Sequence, residues 1–271
     1  MTKALSVSQL MSYPVKSLAG VDHQVASIDT IGIFGDRRWM LVDSQGNFLS
    51  QRLLPRMCLI QAQLNNSIDL RAGITLSAPE MAAITIQIPS NGPVKQVKVW
   101  NDLCDGIDCG DAAAEWLSVF LSHDSRLVFF ADNYFRPIDP SYALVGEGVS
   151  FADGFPILLC TQASLDELNR RLKERVQMHR FRPNIVLDGC EPFAEDTWQR
   201  IQIDDVVFRL VKPCSRCSIP NIDPNTAKSN SEVLRTLGEF RLRQRKIYFG
   251  QNLVPESSGL ICVGSTVDVL N

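Results

Sequence analysis

The chain has 271 residues, 45% of them hydrophobic and 21% charged, which is typical of a globular protein and excludes a disordered or fibrous one. Its formal net charge of -3 excludes the strongly basic surface that binds nucleic acid or an anionic membrane. The beginning of the chain, MTKALSVSQLMSYPVK, lacks the apolar segment of a signal peptide or a membrane span. We therefore expect a cytoplasmic protein without a nucleic-acid or membrane partner.

The first half of the chain predicts short strands separated by turns. Alternating polar and apolar residues indicate strands over 7–13, 38–42, 84–88 and 96–99, and the turn after the second of these indicates a hairpin. A helix capped by Asp111 is predicted over 111–121, and a strand is predicted over 126–131. We expect a mostly antiparallel sheet.

The segment 132–155 lacks clear periodicity and is interrupted by proline and glycine, at Pro137, Pro140, Gly146, Gly148 and Gly154. Such a segment is typical of a functional loop or a junction between domains. We therefore predict a β-rich domain over 1–130 and a second domain over 131–271.

The second half predicts three further groups of elements. A strand over 156–160 precedes a helix that is expected to begin with a capping box at Ser164 and Glu167 and to run to about residue 176. Strands are predicted over 184–187, 198–203 and 206–211, followed by a helix over 232–240 and strands within 259–270. The elements together predict an α+β, β-rich fold.

A short segment near residue 214 combines thiols, cations and prolines. Cys214 and Cys217 lie in a Cys-x-x-Cys pattern beside Lys212 and Arg216, whose charges favour the thiolate that binds soft metals or attacks electrophiles. The spacing alone leaves open an ordinary loop, a zinc half-site and a dithiol redox pair. The three histidines form no cluster that would complete a zinc site, and Pro220 opposes the helix of a thioredoxin-like site.

Three other segments carry groups that bind anions. They are 13–17 with Lys16 and Ser17, 36–39 with two arginines, and 181–184 with Arg182 and Asn184. Each segment alone is explained by an exposed cation or a surface ion pair. Together with a thiolate, they suit a cofactor that has a soft-metal end and an anionic, hydrogen-bonding tail.

The motifs resemble those of the MOSC family, named for the molybdenum cofactor sulfurase C-terminal domain, and of its amidoxime-reducing component branch. They occur in the family's order along nearly the whole chain: Tyr13-Pro14-Val15-Lys16-Ser17, Gly35-Asp36-Arg37-Arg38-Trp39, Phe181-Arg182-Pro183-Asn184-Ile185-Val186, Glu195-Asp196-Thr197-Trp198, Cys214-Ser215-Arg216-Cys217 and Phe249-Gly250-Gln251-Asn252. The resemblance implies a MOSC-associated β-rich domain over 1–130, followed by a MOSC β-barrel with peripheral helices over 131–271.

The resemblance also implies a site for the molybdenum cofactor (Mo-molybdopterin). By analogy with the family, Cys217 binds molybdenum and is catalytic, whereas Cys214 is only its neighbour. The residues that match cofactor-binding positions are Lys16, Ser17, Arg37, Arg182, Asn184, Ser215, Arg216 and Asn252, and a less similar segment adds Asp153 and Gly154. Asp196 is a candidate proton donor, with an exposed strand-end carboxylate as its alternative role.

The family resemblance implies an oxidoreductase that reduces small N-hydroxylated compounds, such as hydroxylaminopurines and amidoximes. After Cys217 the chain contains only one further cysteine, Cys262, so no ferredoxin-type cysteine run follows. We therefore expect electrons from a separate protein of the ferredoxin, flavin reductase or cytochrome type. The alternatives are a non-catalytic carrier of the molybdenum cofactor and a sulfur-transfer protein that uses Cys217 as a persulfide.

Overall fold

The structure is a computed structural model that describes residues 4–90 and 92–270. The first half of the chain contains the helix α1 (Asp111–Leu121) and a series of short strands: β1 (Ser6–Ser12), β2 (Val21–His23), β3 (Val25–Asp29), β4 (Gly32–Ile33), β5 (Trp39–Val42), β6 (Gln61–Leu64), β7 (Ile74–Ala78), β8 (Met81–Ile86), β9 (Val94–Val99), β10 (Asp102–Asp108) and β11 (Arg126–Phe129). The second half contains the helices α2 (Gln162–Asn169) and α3 (Glu232–Arg241). Its strands are β12 (Ile157–Thr161), β13 (Ile185–Asp188), β14 (Arg200–Ile203), β15 (Val206–Ser215), β16 (Leu242–Arg243), β17 (Lys246–Pro255), β18 (Gly259–Cys262) and β19 (Val267–Leu270).

The largest sheet joins strands from both halves of the chain. Its strand order is β19-β14-β15-β17-β12-β13-β1-β2, with β16 paired to β17. In this sheet the β12–β13 pair is parallel. The other pairs, including β1–β13, are antiparallel. The N-terminal strand is therefore an internal part of the same sheet as the C-terminal strands.

Successive residues of these strands pack on opposite faces of the sheet, as the period of two requires. Leu159 and Ile185 belong to a buried cluster on one face, whereas Cys160 and Val186 belong to a cluster on the other. Side chains of α2 and α3 complete the second cluster. The two helices thus cover one face and hold the strand ends that form the site described below.

The remaining strands form three smaller sheets. They have the orders β5-β11-β10-β9, β6-β7-β8 and β18-β3-β4. The first two enclose a core with the buried side of α1, where Leu117, Phe120 and Leu121 pack. The predicted α+β, β-rich class is confirmed. In the described parts of the chain, no helix combines the length and apolarity needed to cross a membrane.

Three details of the predicted helices are wrong: the caps of both α1 and α2 and the end of α2. The helix α1 begins at Asp111 with Gly110 as its cap, and Asp111 accepts a hydrogen bond from Arg126 instead of capping. The helix α2 is capped by Thr161 and ends at Asn169, not near residue 176. The side chain of Asn169 exchanges two hydrogen bonds with the backbone of Val176, at 3.0 and 2.8 Å, and so holds the following segment outside the helix.

Candidate functional site

A cavity lies where β15 ends, beside β17 and the connection that enters β13. With its open mouth it measures about 820 Å³. All residues predicted to bind the cofactor line it, together with both cysteines of the Cys-x-x-Cys pattern: Lys16, Ser17, Arg37, Asp153, Gly154, Arg182, Asn184, Cys214, Ser215, Arg216, Cys217 and Asn252. The fold therefore brings side chains from distant parts of the sequence to one place.

Backbone hydrogen bonds join the two N-terminal segments of the cavity wall. The backbone N–H of Lys16 donates to the carbonyl of Trp39 at 2.8 Å, and that of Arg37 donates to the carbonyl of Tyr13, also at 2.8 Å. The carboxylate of Asp36 accepts from the N–H of Tyr13 at 2.7 Å. These bonds fix the positions from which Lys16 and Arg37 reach the cavity.

Three residues of the same wall have a strained backbone. Ser17, Arg37 and Arg182 adopt φ values of 69°, 48° and 56°, in the left-handed region that non-glycine residues rarely occupy. Such conformations cost on the order of 1 kcal/mol or more and tend to cluster at functional sites. Here they orient three polar side chains of the cavity wall.

Arg37 and Arg182 stack on the same buried aromatic ring. Their guanidinium carbons lie 4.4 and 4.1 Å from the ring centroid of Tyr13. Arg37 donates to Asp36 at 2.5 Å and to the side-chain oxygen of Asn184 at 2.9 Å, and Arg182 donates to the carbonyl of Leu18 at 2.6 Å. Burial lowers the pKa of Arg182 to about 10, so its side chain stays cationic at neutral pH.

The side chain of Asn184 hydrogen-bonds to other groups of the cavity wall. Its side-chain oxygen also accepts from the backbone N–H of Leu158 at 3.1 Å, and its amide group donates to the carbonyl of Met11 at 3.1 Å. The side chain of Asn184 therefore joins β1 to the start of β12, and it also positions Arg37. The predicted contact between Asn184 and a cofactor stays a prediction.

Lys16 and Asp153 form an ion pair at the cavity edge. The indole N–H of Trp100 donates to the same carboxylate oxygen of Asp153 at 3.2 Å. Burial lowers the pKa of Lys16, and the charge of Asp153 offsets part of this effect. The Lys16 ammonium holds the pKa of the Asp153 carboxyl, whose side chain is largely exposed, well below its ordinary value.

The cysteine segment closes the opposite side of the cavity. The strand β15 continues through Cys214, further than predicted, and Ser215 still pairs with Tyr248 of β17. Arg216 donates to the sulfur of Cys214 at 3.1 Å and to the carbonyl of Phe181 at 2.7 Å. Its buried Nε has no hydrogen-bond partner within the described structure.

The two thiols differ in their contacts. Cys214 accepts the hydrogen bond from Arg216, whereas none of the described groups hydrogen-bonds the half-buried sulfur of Cys217. Within the described residues, no three His, Cys, Asp or Glu side chains are grouped to hold a metal ion. The donor set thus consists of thiols surrounded by cations, and it fits a metal whose other ligands come from an anionic organic group.

Asp196 lies outside this site. Its carboxylate accepts hydrogen bonds from Arg241 at 3.0 Å, Arg243 at 2.9 Å and Gln251 at 2.8 Å, and it does not line the cavity. Burial raises the pKa of Asp196, but the hydrogen bonds and charges of the two arginines outweigh it and leave the pKa below its ordinary value. A carboxyl group that is held ionised is a poor proton donor at neutral pH, so this geometry offers no support for the predicted catalytic role.

Several residues of the cavity wall carry no recognisable signal in the sequence. Arg52 lines the cavity, and its guanidinium carbon lies 4.4 Å from the ring centroid of Trp100 and 5.8 Å from that of Phe48. Phe155 and Phe181 also line it. Since Trp100 is distant from Arg52 in the sequence, no local pattern distinguishes this arginine from an exposed cation.

The sequence matches known families over both halves. Residues 4–124 match the MOSC N-terminal beta barrel domain and residues 146–268 match the MOSC domain. This chain belongs to the MOSC family. The predicted boundary near residue 130 lies in the gap between the two matched ranges. They do not test it, so the boundary stays a prediction.

The MOSC chain has relatives of similar length. It is 35% identical to mitochondrial amidoxime-reducing component 1 of Homo sapiens, over 98% of this chain and 83% of that protein. It is 33% identical to the Xenopus laevis protein of the same name, over 96% and 81%, and 32% identical to human mitochondrial amidoxime reducing component 2, over 97% and 82%. A solved structure, the YUAD protein from Bacillus subtilis, covers 98% of this chain and 94% of its own at 11% identity and a TM-score of 0.45, which is too low to support an inference.

Proposed function

We propose that this MOSC protein is a molybdenum cofactor-dependent reductase of small N-hydroxylated compounds, such as hydroxylaminopurines and amidoximes. Its relatives are named amidoxime-reducing components and share about a third of its residues over nearly the whole chain. The observation that carries the proposal is the cavity that combines two thiols with five cationic side chains: Lys16, Arg37, Arg52, Arg182 and Arg216.

The charges of the cavity favour an anionic ligand. Among its lining residues in the described structure, only Asp153 carries a negative charge, and Lys16 already neutralises that carboxylate. The half-buried Arg182 has no ion-pair partner among the described residues, and a bound phosphate ester would supply one. The buried, unpartnered Nε of Arg216 is a further feature that a bound group would help to satisfy.

In this proposal the residues of the chain have separate roles. Cys217 is the protein ligand of the metal, and Arg37, Arg182 and Arg216 bind the anionic and hydrogen-bonding parts of the pterin. Tyr13 and Asn184 hold two of these guanidinium groups in place. When bound, the cofactor supplies the two-electron redox chemistry that side chains lack.

The reaction converts R–NH–OH, two electrons and two protons into R–NH₂ and water. The N–O bond breaks, the nitrogen is reduced and the oxygen leaves as water. A separate electron-donor protein, of the ferredoxin, flavin reductase or cytochrome type, provides the electrons and is oxidised.

The test is metal content and turnover of protein purified from a host that makes the cofactor. We expect bound molybdenum and reduction of 6-hydroxylaminopurine with dithionite as the electron donor. Retained molybdenum without turnover would favour a cofactor carrier, and a persulfide without molybdenum would favour sulfur transfer. Either result contradicts the reductase.

The two cysteines provide a matched pair of variants. Cys217→Ser should lower molybdenum content and turnover by at least about tenfold, because a hydroxyl group is a poor soft-metal ligand. Cys214→Ser should retain most of both. Equal metal content in both variants and the parent protein would refute the assignment of Cys217 as the ligand.

A further inference from the structure

A groove adjoins the cavity and shares one wall with it. Including its open side it measures about 1240 Å³. The shared wall consists of the residues 153–155, Cys214, Ser215 and Asn252, which line both spaces. A ligand in the groove would therefore lie beside the thiol segment without occupying the cationic cavity.

The outer wall of the groove is the segment predicted as a functional loop. It forms an irregular hairpin, in which the N–H of Val149 donates to the carbonyl of Arg136 at 2.8 Å and that of Ile138 donates to the carbonyl of Glu147 at 3.2 Å. Ile138 and Val149 are buried together with Val254 of β17. The groove is thus a fixed feature of the fold and does not depend on an exposed loop changing position.

Charge distinguishes the groove from the cavity. Its cations are Arg136 and Lys212, and they face the carboxylates of Asp102, Asp139 and Asp153. Arg136 donates to Asp102 at 2.8 Å, and its other hydrogen bonds go to backbone carbonyls. The groove therefore has no excess of positive charge and does not favour an anionic ligand.

An aromatic ring, Phe155, lines the part of the groove next to the thiols. Phe155 lines both spaces and packs edge-on against Tyr142, with ring centroids 5.9 Å apart. The ammonium of Lys212 lies 4.1 Å from the ring centroid of Tyr142, and it forms no ion pair within the described chain. Pro137 and Pro140 line the opposite wall. Such a lining suits a flat, uncharged ring.

We propose that this groove binds the planar, uncharged body of the substrate, with Phe155 as its stacking surface and Lys212 as a hydrogen-bond donor at its edge. The proposal rests on the reductase function above and adds a preference to it. An N-hydroxylated purine or benzene ring lies in the part of the groove beside Phe155, whereas a small aliphatic N-hydroxy compound does not reach Phe155.

The experiment compares two neutral substrates that carry the same reacting N–OH group: 6-hydroxylaminopurine and acetamidoxime. Phe155→Leu keeps an apolar side chain against the buried neighbours but removes the ring. We expect the KM for 6-hydroxylaminopurine to rise about three- to tenfold, which is the range for loss of one aromatic contact. The KM for acetamidoxime should rise less, because this substrate does not reach Phe155, and turnover is expressed per bound molybdenum.

A matched control is Phe135→Leu, because Phe135 lies in the same hairpin segment, is 60% exposed and does not line the groove. It should leave both KM values unchanged. Lys212→Met is a second groove variant that retains the Phe155 ring, and it should raise the KM for the purine more than that for acetamidoxime. An equal rise for both substrates, or no rise in either groove variant, would overturn the proposal.

Binding of adenine, the uncharged reaction product, separates this proposal from the function itself. Calorimetry should show weaker binding of adenine to Phe155→Leu than to the parent, whether or not the protein reduces its substrate. Turnover combined with adenine binding that is independent of Phe155 and Lys212 would leave the reductase intact and refute the groove. Binding that depends on Phe155 without turnover would refute the reductase and retain the groove as a site for planar rings.

Discussion

The cavity and the Asp196 cluster are both rich in charged side chains, but their charges are balanced differently. In the Asp196 cluster, formed by Asp196, Arg241, Arg243 and Gln251, hydrogen bonds from all three partners reach one carboxylate. In the cavity, the cations of one wall outnumber the carboxylates that face them. Residue type alone therefore does not separate these two regions, whereas the balance of charge does.

Asp196→Ala gives the largest effect that we expect from this comparison. It removes the charge that Arg241 faces, and Arg241 is only 4% exposed, so the variant leaves a cation buried without its partner. Loss of one member of such a pair costs about 3 kcal/mol or more in the free energy of unfolding. Urea denaturation of the cofactor-free protein measures this decrease in the free energy of unfolding.

Turnover per bound molybdenum tests whether the Asp196 cluster is only structural. It should not change in Asp196→Ala, because the carboxylate lies outside the cavity. Arg243→Gln is the control, since Arg243 is exposed and its loss should cost less than about 1 kcal/mol. A folded Asp196→Ala variant whose turnover per metal is abolished would show that the two regions are functionally connected.

Arg182→Gln should weaken cofactor binding with little effect on stability, which is the opposite of the effect of Asp196→Ala. Removal of one charge-assisted contact to an anionic ligand weakens binding by about 1.5–3 kcal/mol, which predicts a loss of molybdenum retention of about ten- to a hundredfold. The stability of the cofactor-free protein should change little, because the variant also removes a desolvated cation that has no carboxylate of its own.

Arg180→Gln is the matched control for Arg182→Gln. Arg180 lies two residues away, pairs with Asp223 at 2.9 Å and does not line the cavity. Metal retention after dialysis, measured by elemental analysis, should be unaffected in this variant. Equal losses in the two variants would mean that Arg182 contributes only general positive charge.

Substitution of Glu195, the neighbour of Asp196, should have the smallest effect on the free energy of unfolding, and this effect depends on pH. It is fully buried and accepts from Ser164 at 2.9 Å and from Thr161 at 3.1 Å, with no cation beside it. Burial raises the pKa of Glu195, and these hydrogen bonds offset only part of the increase. The folded state therefore holds its proton more tightly than the unfolded state does.

For such a group, the stabilisation is complete below the unfolded pKa and is lost as the pH rises through the folded pKa. Glu195→Gln cannot ionise and should not show this loss. The difference in free energy of unfolding should therefore shift in favour of the variant as the pH rises above about 4.5. A pH-independent difference in urea denaturation would contradict the assignment.

The sequence predicted local elements well where a single pattern dominated. The bounds of α1 agree with its apolar spacing, and the strand pairs around Ile203 and Val206 follow from alternation and a tight turn. The end of α2 was not predictable, because the side chain of Asn169 captures the backbone of Val176 after the helix. The predicted capping role of Ser164 was wrong, since its hydroxyl donates to the buried Glu195 from another segment.

The lining of the cavity was predictable from family motifs, but its balance of charge was not. The family motifs include Asp196 together with the cavity residues, and only the fold shows that Arg241 and Arg243 neutralise it. Arg52 and the groove depend on contacts between residues that are far apart in the chain, such as Arg52 with Trp100. Sequence patterns of short range do not contain that information.

The position of β1 inside the largest sheet also has a consequence for how the protein is made. The N–H of Val7 donates to the carbonyl of Ser265 at 2.9 Å, and Lys16 and Asn252 line the same cavity. A nascent chain therefore cannot assemble this cavity until nearly the whole chain has left the ribosome. Loading with any ligand must follow translation, and a fragment that stops before β17 should retain none of it.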